Sequence, residues 1–187
     1  MFAVIKDSDK VSIIFDQSEF RFTAVIKKDR LLKGNLPVWN VKGAKDILMS
    51  YTGETKMRDV LRITPLSMVP FTIEQLQLVV YPQLKNVCEK YDSLDDKGRF
   101  NGKFIFVNDT KIFTMDYYGV VSEHSHFIAV GEYNTIINET LSLFNEPLTI
   151  NHVKKAFNRH FSFFYTTSLP LCLITTKDKA KWITSSI

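Results

Sequence analysis

Segments with strand-like patterns and segments with helix-like patterns follow one another in blocks along this chain. The order is strands, helices, strands, helices and strands, with no internal repeat and no low-complexity linker. Blocks of this kind favour α+β layering over alternating βαβ units. Two sheets placed face to face, with a pair of helices outside each, would bury every apolar stripe. The sequence therefore predicts a four-layer αββα sandwich of two antiparallel sheets, formed by residues 1–187 as a single domain.

Strand signals fill the first fifty residues and return after residue 100. These segments are rich in β-branched and aromatic residues, and turn residues such as Asp, Asn and Gly separate them. Pro37 argues against any helix in the first block. The predicted strands cover residues 2–5, 11–15, 20–26, 38–41, 46–51, 103–107, 111–115, 117–121, 127–130, 171–176 and 181–184.

Helical signals occupy the two remaining blocks. Residues 54–63 carry apolar side chains at helical spacing and stop before a proline. The next helix begins with a capping box of Thr72 and Gln75, but Pro82 lies inside its pattern, which predicts a kink or a split. Two more helices are predicted, around residues 137–144 and over residues 150–164.

Composition excludes several classes of protein. Apolar residues make up 45% of the chain and charged residues 24%, which is a globular balance and not that of a disordered protein. Two cysteines and no Cys-x-x-Cys motif argue against a disulfide scaffold or a zinc finger. No apolar run reaches the length of a membrane span, and the pattern of a secretory signal is missing. We therefore expect a soluble cytoplasmic protein that needs no cofactor.

The net charge of +4 raises the question of nucleic-acid binding. The 24 Lys and Arg residues are spread over the whole chain, and the two tightest clusters, at 27–30 and 177–181, are each interrupted by an aspartate. Nucleic-acid-binding proteins usually concentrate such charge on one face or in one groove. We therefore expect no nucleic-acid partner.

Four segments carry a family resemblance. A strand-like run at 11–16 ends in Asp16, a Lys-Gly-Asn turn occupies 33–35, an apolar strand at 47–53 ends in a small-residue turn, and another apolar strand at 127–131 ends in glycine. In this order and at these spacings, the segments resemble the HslV-like and proteasome β-subunit-like proteins of the N-terminal nucleophile hydrolase superfamily. The resemblance implies the same four-layer αββα fold.

The resemblance also implies a peptidase site whose nucleophile this sequence lacks. In the family, an N-terminal Thr exposed by processing acts as nucleophile and, through its α-amine, as base. Counted back from Asp16 without a gap, this Thr would fall one residue before Met1. Removal of Met1 would leave Phe2, which has no nucleophilic atom.

Two further family positions are altered. The lysine that should lower the pKa of the nucleophile aligns with Val38, and Lys33, which aligns with the turn lysine, is a weak substitute. The Ser-Gly pair that follows the last matching strand is replaced by Glu132 and Tyr133. Asp16 alone remains of the catalytic set, so the sequence predicts that the inherited peptidase mechanism cannot operate.

Three functions remain open at this point. The leading hypothesis is a catalytically inactive proteasome-like protein that works as a binding or assembly module. A second is an active N-terminal nucleophile hydrolase whose nucleophile is unrecognised. A third is a regulator, such as a phage-borne relative, that binds the proteasome-like machinery of a host or another cellular protein.

Histidines offer a possible metal site. His124 and His126 could chelate a metal from one strand face, with His152, His160 or Glu123 as a third ligand. A metal site needs three or four converging ligands, and the sequence fixes no third one. We therefore expect no metal at His124 and His126.

Cysteines and acidic residues have structural explanations. Cys88 and Cys172 lie in apolar patterns, so we expect core thiols and not nucleophiles. Asp92, Asp95 and Asp96 lack the pattern of an EF-hand and predict a solvated loop.

Asp16 and an aromatic cluster carry the remaining predictions. We expect Asp16 to accept backbone N–H groups of the turn that follows it, so that Asp16→Ala costs about 1 kcal/mol of stability. Phe163 and Tyr165 lie off the apolar stripe of the last helix and are expected to form an exposed contact patch. We expect self-association or a protein partner at this patch, no membrane contact, and a monomer or dimer instead of a double hexameric ring.

Overall fold

The computed structural model describes residues 1–7, 10–16, 37–131, 134–145, 147–164, 171–177 and 181–183. The chain divides into two compact units, one formed by Met1–Leu36 with Ser125–Ile187 and the other by Pro37–His124. The prediction of a single domain stays a prediction.

The described strands agree closely with the predicted ones. Antiparallel pairing joins them into a sheet of order β10-β9-β2-β1-β8 in the first unit and a sheet of order β3-β4-β5-β6-β7 in the second. The strands are β1 (Phe2–Asp7), β2 (Lys10–Asp16), β3 (Val38–Val41), β4 (Ala44–Tyr51), β5 (Phe104–Val107), β6 (Ile112–Met115), β7 (Val121–His124), β8 (Phe127–Val130), β9 (Leu171–Thr175) and β10 (Lys181–Ile183).

The helices lie where the apolar periodicity predicts them. They are α1 (Thr55–Ile63), α2 (Ile73–Gln75), α3 (Tyr81–Lys90), α4 (Asn134–Ser142) and α5 (Ile150–Phe164), with a π-helical segment, Leu76–Val80, between α2 and α3. The capping box is present in part, because the Thr72 hydroxyl accepts a hydrogen bond from the Gln75 amide at 3.2 Å. In the described residues no helix is long and apolar enough to cross a bilayer.

Pro82 does not split its helix. It is the second residue of α3, which continues directly from the π-helical segment. Proline cannot donate the backbone hydrogen bond that an uninterrupted α-helix requires, and the wider π turns just before it accommodate that gap. The expected break is therefore a local change of helix type.

The strand predicted at 117–121 is a turn for most of its length. Asp116 Oδ1 accepts hydrogen bonds from the amides of Tyr118 and Val120, both at 2.9 Å, and Gly119 has a φ of +82°. These bonds hold the chain in a tight reversal, so β7 begins only at Val121. The strand predicted at 20–26 lies outside the described residues.

Each unit has an apolar core between its sheet and its helices. In the first unit, α4 and α5 cover one face of the sheet, and the core includes Ala3, Ile14, Leu141 and Phe157. In the second unit, α1, α3 and the π-helical segment pack against the sheet. The core between them includes Met57, Leu76, Val80, Leu84, Phe104, Phe106 and Phe113. The predicted class, α+β with two antiparallel sheets and their helices, is confirmed.

Candidate functional site

In the first unit, the start of β1 lies between the ends of its two neighbouring strands, β2 and β8. In the register, Phe2 of β1 pairs with Phe15 of β2 on one side and with Val130 of β8 on the other. One residue further along, Met1 therefore lies between Asp16 and Gly131. The Asp16 amide donates a hydrogen bond to the Met1 carbonyl at 3.4 Å, which continues the β1–β2 ladder.

The gapless count from Asp16 predicts the nucleophile position one residue before Met1, and this alignment stays a prediction. In the structure it is the α-amine of Met1 that lies beside Asp16. Strands β1 and β2 form an antiparallel pair in which Asp7 pairs with Lys10 and Phe2 with Phe15. Met1 is thus the residue that the structure places between Asp16 and Gly131.

A buried ion pair holds this site together. The α-ammonium of Met1 lies 3.6 Å from Asp16 Oδ2, and the two residues are only 7% and 1% exposed. Removal of either charge would take away this attraction between two buried groups, which is costly in a protein interior. Asp16 therefore anchors the start of β1. The backbone capping expected near residues 18 and 19 lies outside the described residues.

The Met1 side chain lies in the core and not in an open cleft. It belongs to the apolar cluster beneath α4 and α5, together with Ala3, Phe157 and Phe161. A Cβ atom built on Gly131 would lie 3.2 Å from both Met1 Cα and Met1 Sδ, and Gly131 has a φ of +133°. Glycine is needed here, since it fits both the close contact and the positive φ.

His160 also lies near Met1 and Asp16, which the sequence did not predict. It lies on α5 and is only 2% exposed. Burial lowers the pKa of His160, and the Asp16 carboxylate opposes that shift. The only sequence signal is that His160 lies three residues after Phe157, on the buried side of the helix. Sequence reasoning considered it only as a third metal ligand.

The chemistry available at Met1 differs from that of a nucleophilic residue. A thioether has neither an O–H nor an S–H to ionise, and its sulfur is buried. The α-amine is present, but it is engaged with Asp16. The arrangement can stabilise the strand end, while an acyl-transfer step would need a hydroxyl or thiol at this position.

The other predicted catalytic positions have different outcomes. Val38 is a 4% exposed strand residue of β3, paired with Ser50, as its sequence neighbourhood predicts. Lys33, Glu132 and Tyr133 lie outside the described residues. Their proposed roles therefore stay predictions.

His124 has a local hydrogen-bond partner. It lies in β7, and its Nε2 is 2.8 Å from the Thr114 hydroxyl of β6. Burial lowers the pKa of His124. Within the described ranges, no three His, Cys, Asp or Glu side chains converge closely enough to hold a metal ion. His126 is connected through its backbone, since its carbonyl accepts the Lys6 amide at 2.8 Å.

The cysteines and the acidic loop behave as expected. Cys88 and Cys172 are fully buried, and burial raises the pKa of each thiol to about 12, so both are core thiols. Asp95 organises its loop: Oδ1 accepts the amides of Lys97 and Arg99 at 2.9 and 2.8 Å, and Oδ2 binds the Arg99 guanidinium at 2.6 Å.

Acid is expected to destabilise the fold through two histidines, His160, which is buried, and His124, which is partly buried. An unfolded histidine binds a proton near pH 6.5, whereas burial lowers the pKa of both His160 and His124 in the fold. The unfolded state therefore binds more protons below about pH 6.5, and stability falls as the pH drops. Urea unfolding between about pH 8 and about pH 5 should show this slope, and His160→Gln and His124→Gln should each reduce it. An undiminished slope in both variants would contradict the assignment.

Comparison with known proteins identifies the fold. No protein-family model and no curated protein sequence matches the chain. Solved structures do match: BPH from Thiobacillus denitrificans, in complex with epoxomicin, has a TM-score of 0.68 at 15% identity, covering 93% of this chain and 96% of BPH. A second BPH structure gives 0.68 at 16% identity with the same coverage. Anbu, the ancestral beta-subunit from Yersinia bercovieri, gives 0.60 at 12% identity, covering 100% of this chain and 88% of Anbu.

These similarities show the fold of the chain, but not its activity or the roles of its residues. BPH is a bacterial proteasome homologue, and both it and Anbu are proteasome-like N-terminal nucleophile hydrolases. The chain therefore has the fold of the proteasome-like N-terminal nucleophile hydrolases. The predicted resemblance is confirmed at this level.

Proposed function

We propose that this chain is a proteasome-like protein without peptidase activity, which acts as a binding or assembly module. One observation carries the proposal. The strand end beside Asp16 and Gly131 is occupied by a buried methionine whose amine is paired with a carboxylate. A thioether buried in the core cannot take the role that a hydroxyl or thiol nucleophile performs.

Peptidase chemistry is expected to be undetectable, and the chain is expected to keep Met1. Intact mass with N-terminal sequencing should give an N-terminus at Met1, and a panel of fluorogenic peptides should show no turnover. Epoxomicin, which is bound in the BPH structure, should leave the mass unchanged. BPH treated in parallel is the positive control.

The opposite result would favour an active hydrolase. An epoxomicin adduct mapped to the N-terminal peptide would contradict the proposal. Peptide turnover lost on replacement of one side chain would do the same. A chain that starts at a residue other than Met1 would show that the buried methionine is not the mature site.

The exposed contact patch supports the binding role. Phe163 is 64% exposed on α5, although large aromatic side chains are usually covered. Tyr165, the other predicted member, lies outside the described residues. We assign Phe163 to a contact with a protein partner or with a second copy of this chain, where two-fold pairing would bring the same surface of both copies together.

Light scattering is expected to give the mass of one or two chains and not that of a double hexameric ring. If the species is a dimer, Phe163→Ser should shift the mass to that of one chain. Leu143→Ser is the matched control, because Leu143 is 73% exposed on the same unit and should leave the mass unchanged. A mass near twelve chains would refute the proposed assembly, and a dimer that survives Phe163→Ser would refute the proposed interface.

A further inference from the structure

A surface cavity in the unit Pro37–His124 combines positive charge with exposed aromatic rings. Its volume is about 200 Å³, and helix α3, the loop at 97–100 and the turn at 117–118 form its walls. The residues that define its chemistry are Tyr81, Lys85, Lys97, Arg99, Tyr117 and Tyr118. No acidic residue is part of the lining.

Two lysines bring charge to this cavity that no acid neutralises. Lys85 reaches from α3 over Gly98, where its Nζ lies 3.9 Å from the position of a Cβ atom built on that glycine. Lys97 is exposed on the loop. Among the described residues, no carboxylate lies within 4.0 Å of either ammonium. Two lysines thus line one cavity, which favours a ligand with two negative charges.

Arg99 has a structural role, unlike Lys85 and Lys97. Its guanidinium is 2.6 Å from the Asp95 carboxylate, and its Nη1 donates a hydrogen bond to the Tyr118 hydroxyl at 3.3 Å. The guanidinium carbon also lies 5.5 Å from the centre of the Tyr118 ring. Arg99 therefore holds Tyr118 in place, and its own charge is neutralised by Asp95.

The aromatic rings provide flat surfaces beside the lysines. Tyr117 is 44% exposed and Tyr118 is 65% exposed, while Tyr81 is partly buried against the edge of Phe100. The hydrogen bonds of Asp116 fix the turn that presents Tyr117 and Tyr118. Lys85 Nζ also lies 5.9 Å from the centre of the Tyr81 ring. Exposed rings beside cations match the way proteins stack the bases of nucleotides.

We propose that this cavity binds a nucleoside monophosphate, with the phosphate between Lys85 and Lys97 and the base stacked on Tyr118. A phosphate monoester carries close to two negative charges at neutral pH, which matches the two unpaired ammonium groups. The cavity of about 200 Å³ has room for part of a small molecule, such as its phosphate or its base. The proposal is independent of the absence of peptidase activity, because every residue that it uses lies in the unit Pro37–His124.

Calorimetric titration of the full chain with adenosine monophosphate, adenosine and inorganic phosphate tests the proposal. Adenosine monophosphate should bind more tightly than either fragment, and its affinity should fall as NaCl rises from about 50 to about 300 mM. The double variant Lys85→Ala/Lys97→Ala should weaken binding by about ten-fold or more, since it removes two charge-assisted contacts.

The matched control removes the same charge elsewhere on the same unit. Lys56→Ala/Lys90→Ala changes two lysines outside the cavity, one of them on α3, and should leave the affinity within about two-fold of wild type. Tyr118→Ala should weaken the binding of adenosine monophosphate several-fold and leave that of inorganic phosphate unchanged. Thermal unfolding of each variant shows whether it is folded.

The proposal would be overturned if wild type did not bind adenosine monophosphate at millimolar concentration. Equal losses of affinity in the two double variants would also overturn it. So would adenosine or phosphate alone binding as tightly as the nucleotide. Chemical-shift mapping on wild type adds a readout that needs no variant. Shifts centred on the amides of Gly98 and Tyr118 support the site, and shifts elsewhere contradict it.

Discussion

Replacement of Asp16 by asparagine is expected to lower the free energy of unfolding by about 3–5 kcal/mol. The variant keeps the size of the side chain but removes the buried negative charge that lies 3.6 Å from the Met1 ammonium in the wild type. The sequence alone predicted about 1 kcal/mol for Asp16→Ala, because it recognised only a turn cap. The larger loss is expected because both charged groups are almost fully buried.

Asp59→Asn is the matched control for this measurement. Asp59 pairs with Arg62 at the same 3.6 Å distance, but its side chain is 62% exposed, so the expected loss is below about 1 kcal/mol. Urea unfolding of the three proteins at neutral pH makes the comparison. Similar losses of unfolding free energy in both variants would show that the Met1–Asp16 pair stabilises the fold no more than an exposed pair does. An Asp16→Asn variant with the urea midpoint of wild type would show that Asp16 does not stabilise the start of β1.

Replacement of Gly102 by alanine is expected to cost about 3 kcal/mol through overpacking. The new Cβ atom would overlap the backbone nitrogen of Gly53 and lie 2.6 Å from its Cα and 2.8 Å from Cε2 of Tyr51. Two hydrogen bonds of 2.9 Å between Thr52 and Lys103 hold the two backbone segments together. Backbone atoms tied in this way cannot move aside as a flexible side chain could.

Asn101→Ala separates this steric effect from a change in the loop itself. Asn101 is the exposed neighbour of Gly102 and should change stability by less than about 0.5 kcal/mol. Thermal or urea unfolding measures both variants. A Gly102→Ala protein as stable as wild type would mean that the segments at Gly53 and Gly102 can separate without loss.

The overall fold of this chain and the residues at the Met1 site carry different information about its function. The strand ends that meet at Met1, Asp16 and Gly131 belong to a chain whose overall fold is similar to those of BPH and Anbu. A fold does not by itself specify a function, because function depends on the residues placed at the site. Here the residue between Asp16 and Gly131 contributes packing and an amine, which is the basis for the proposed loss of peptidase activity.

Local patterns determined the elements of this protein and much of its core. Strand alternation and helical spacing predicted the described strands and helices to within a few residues, and apolar context predicted the burial of Cys88 and Cys172. The failures are local as well. Side-chain hydrogen bonds from Asp116 convert the predicted strand at 117–121 into a turn, and a π-helical segment absorbs Pro82.

Tertiary structure decided which distant residues meet. The pairing of Met1 with Asp16 depends on the register of β1 against β2, and the burial of His160 depends on how α5 packs against the sheet. The cavity with Lys85 and Tyr118 joins a helix to a turn more than thirty residues away. Periodicity reports which side of a segment is apolar, whereas strand register and helix packing depend on the fit of whole surfaces, which leaves no signal in any single stretch of sequence.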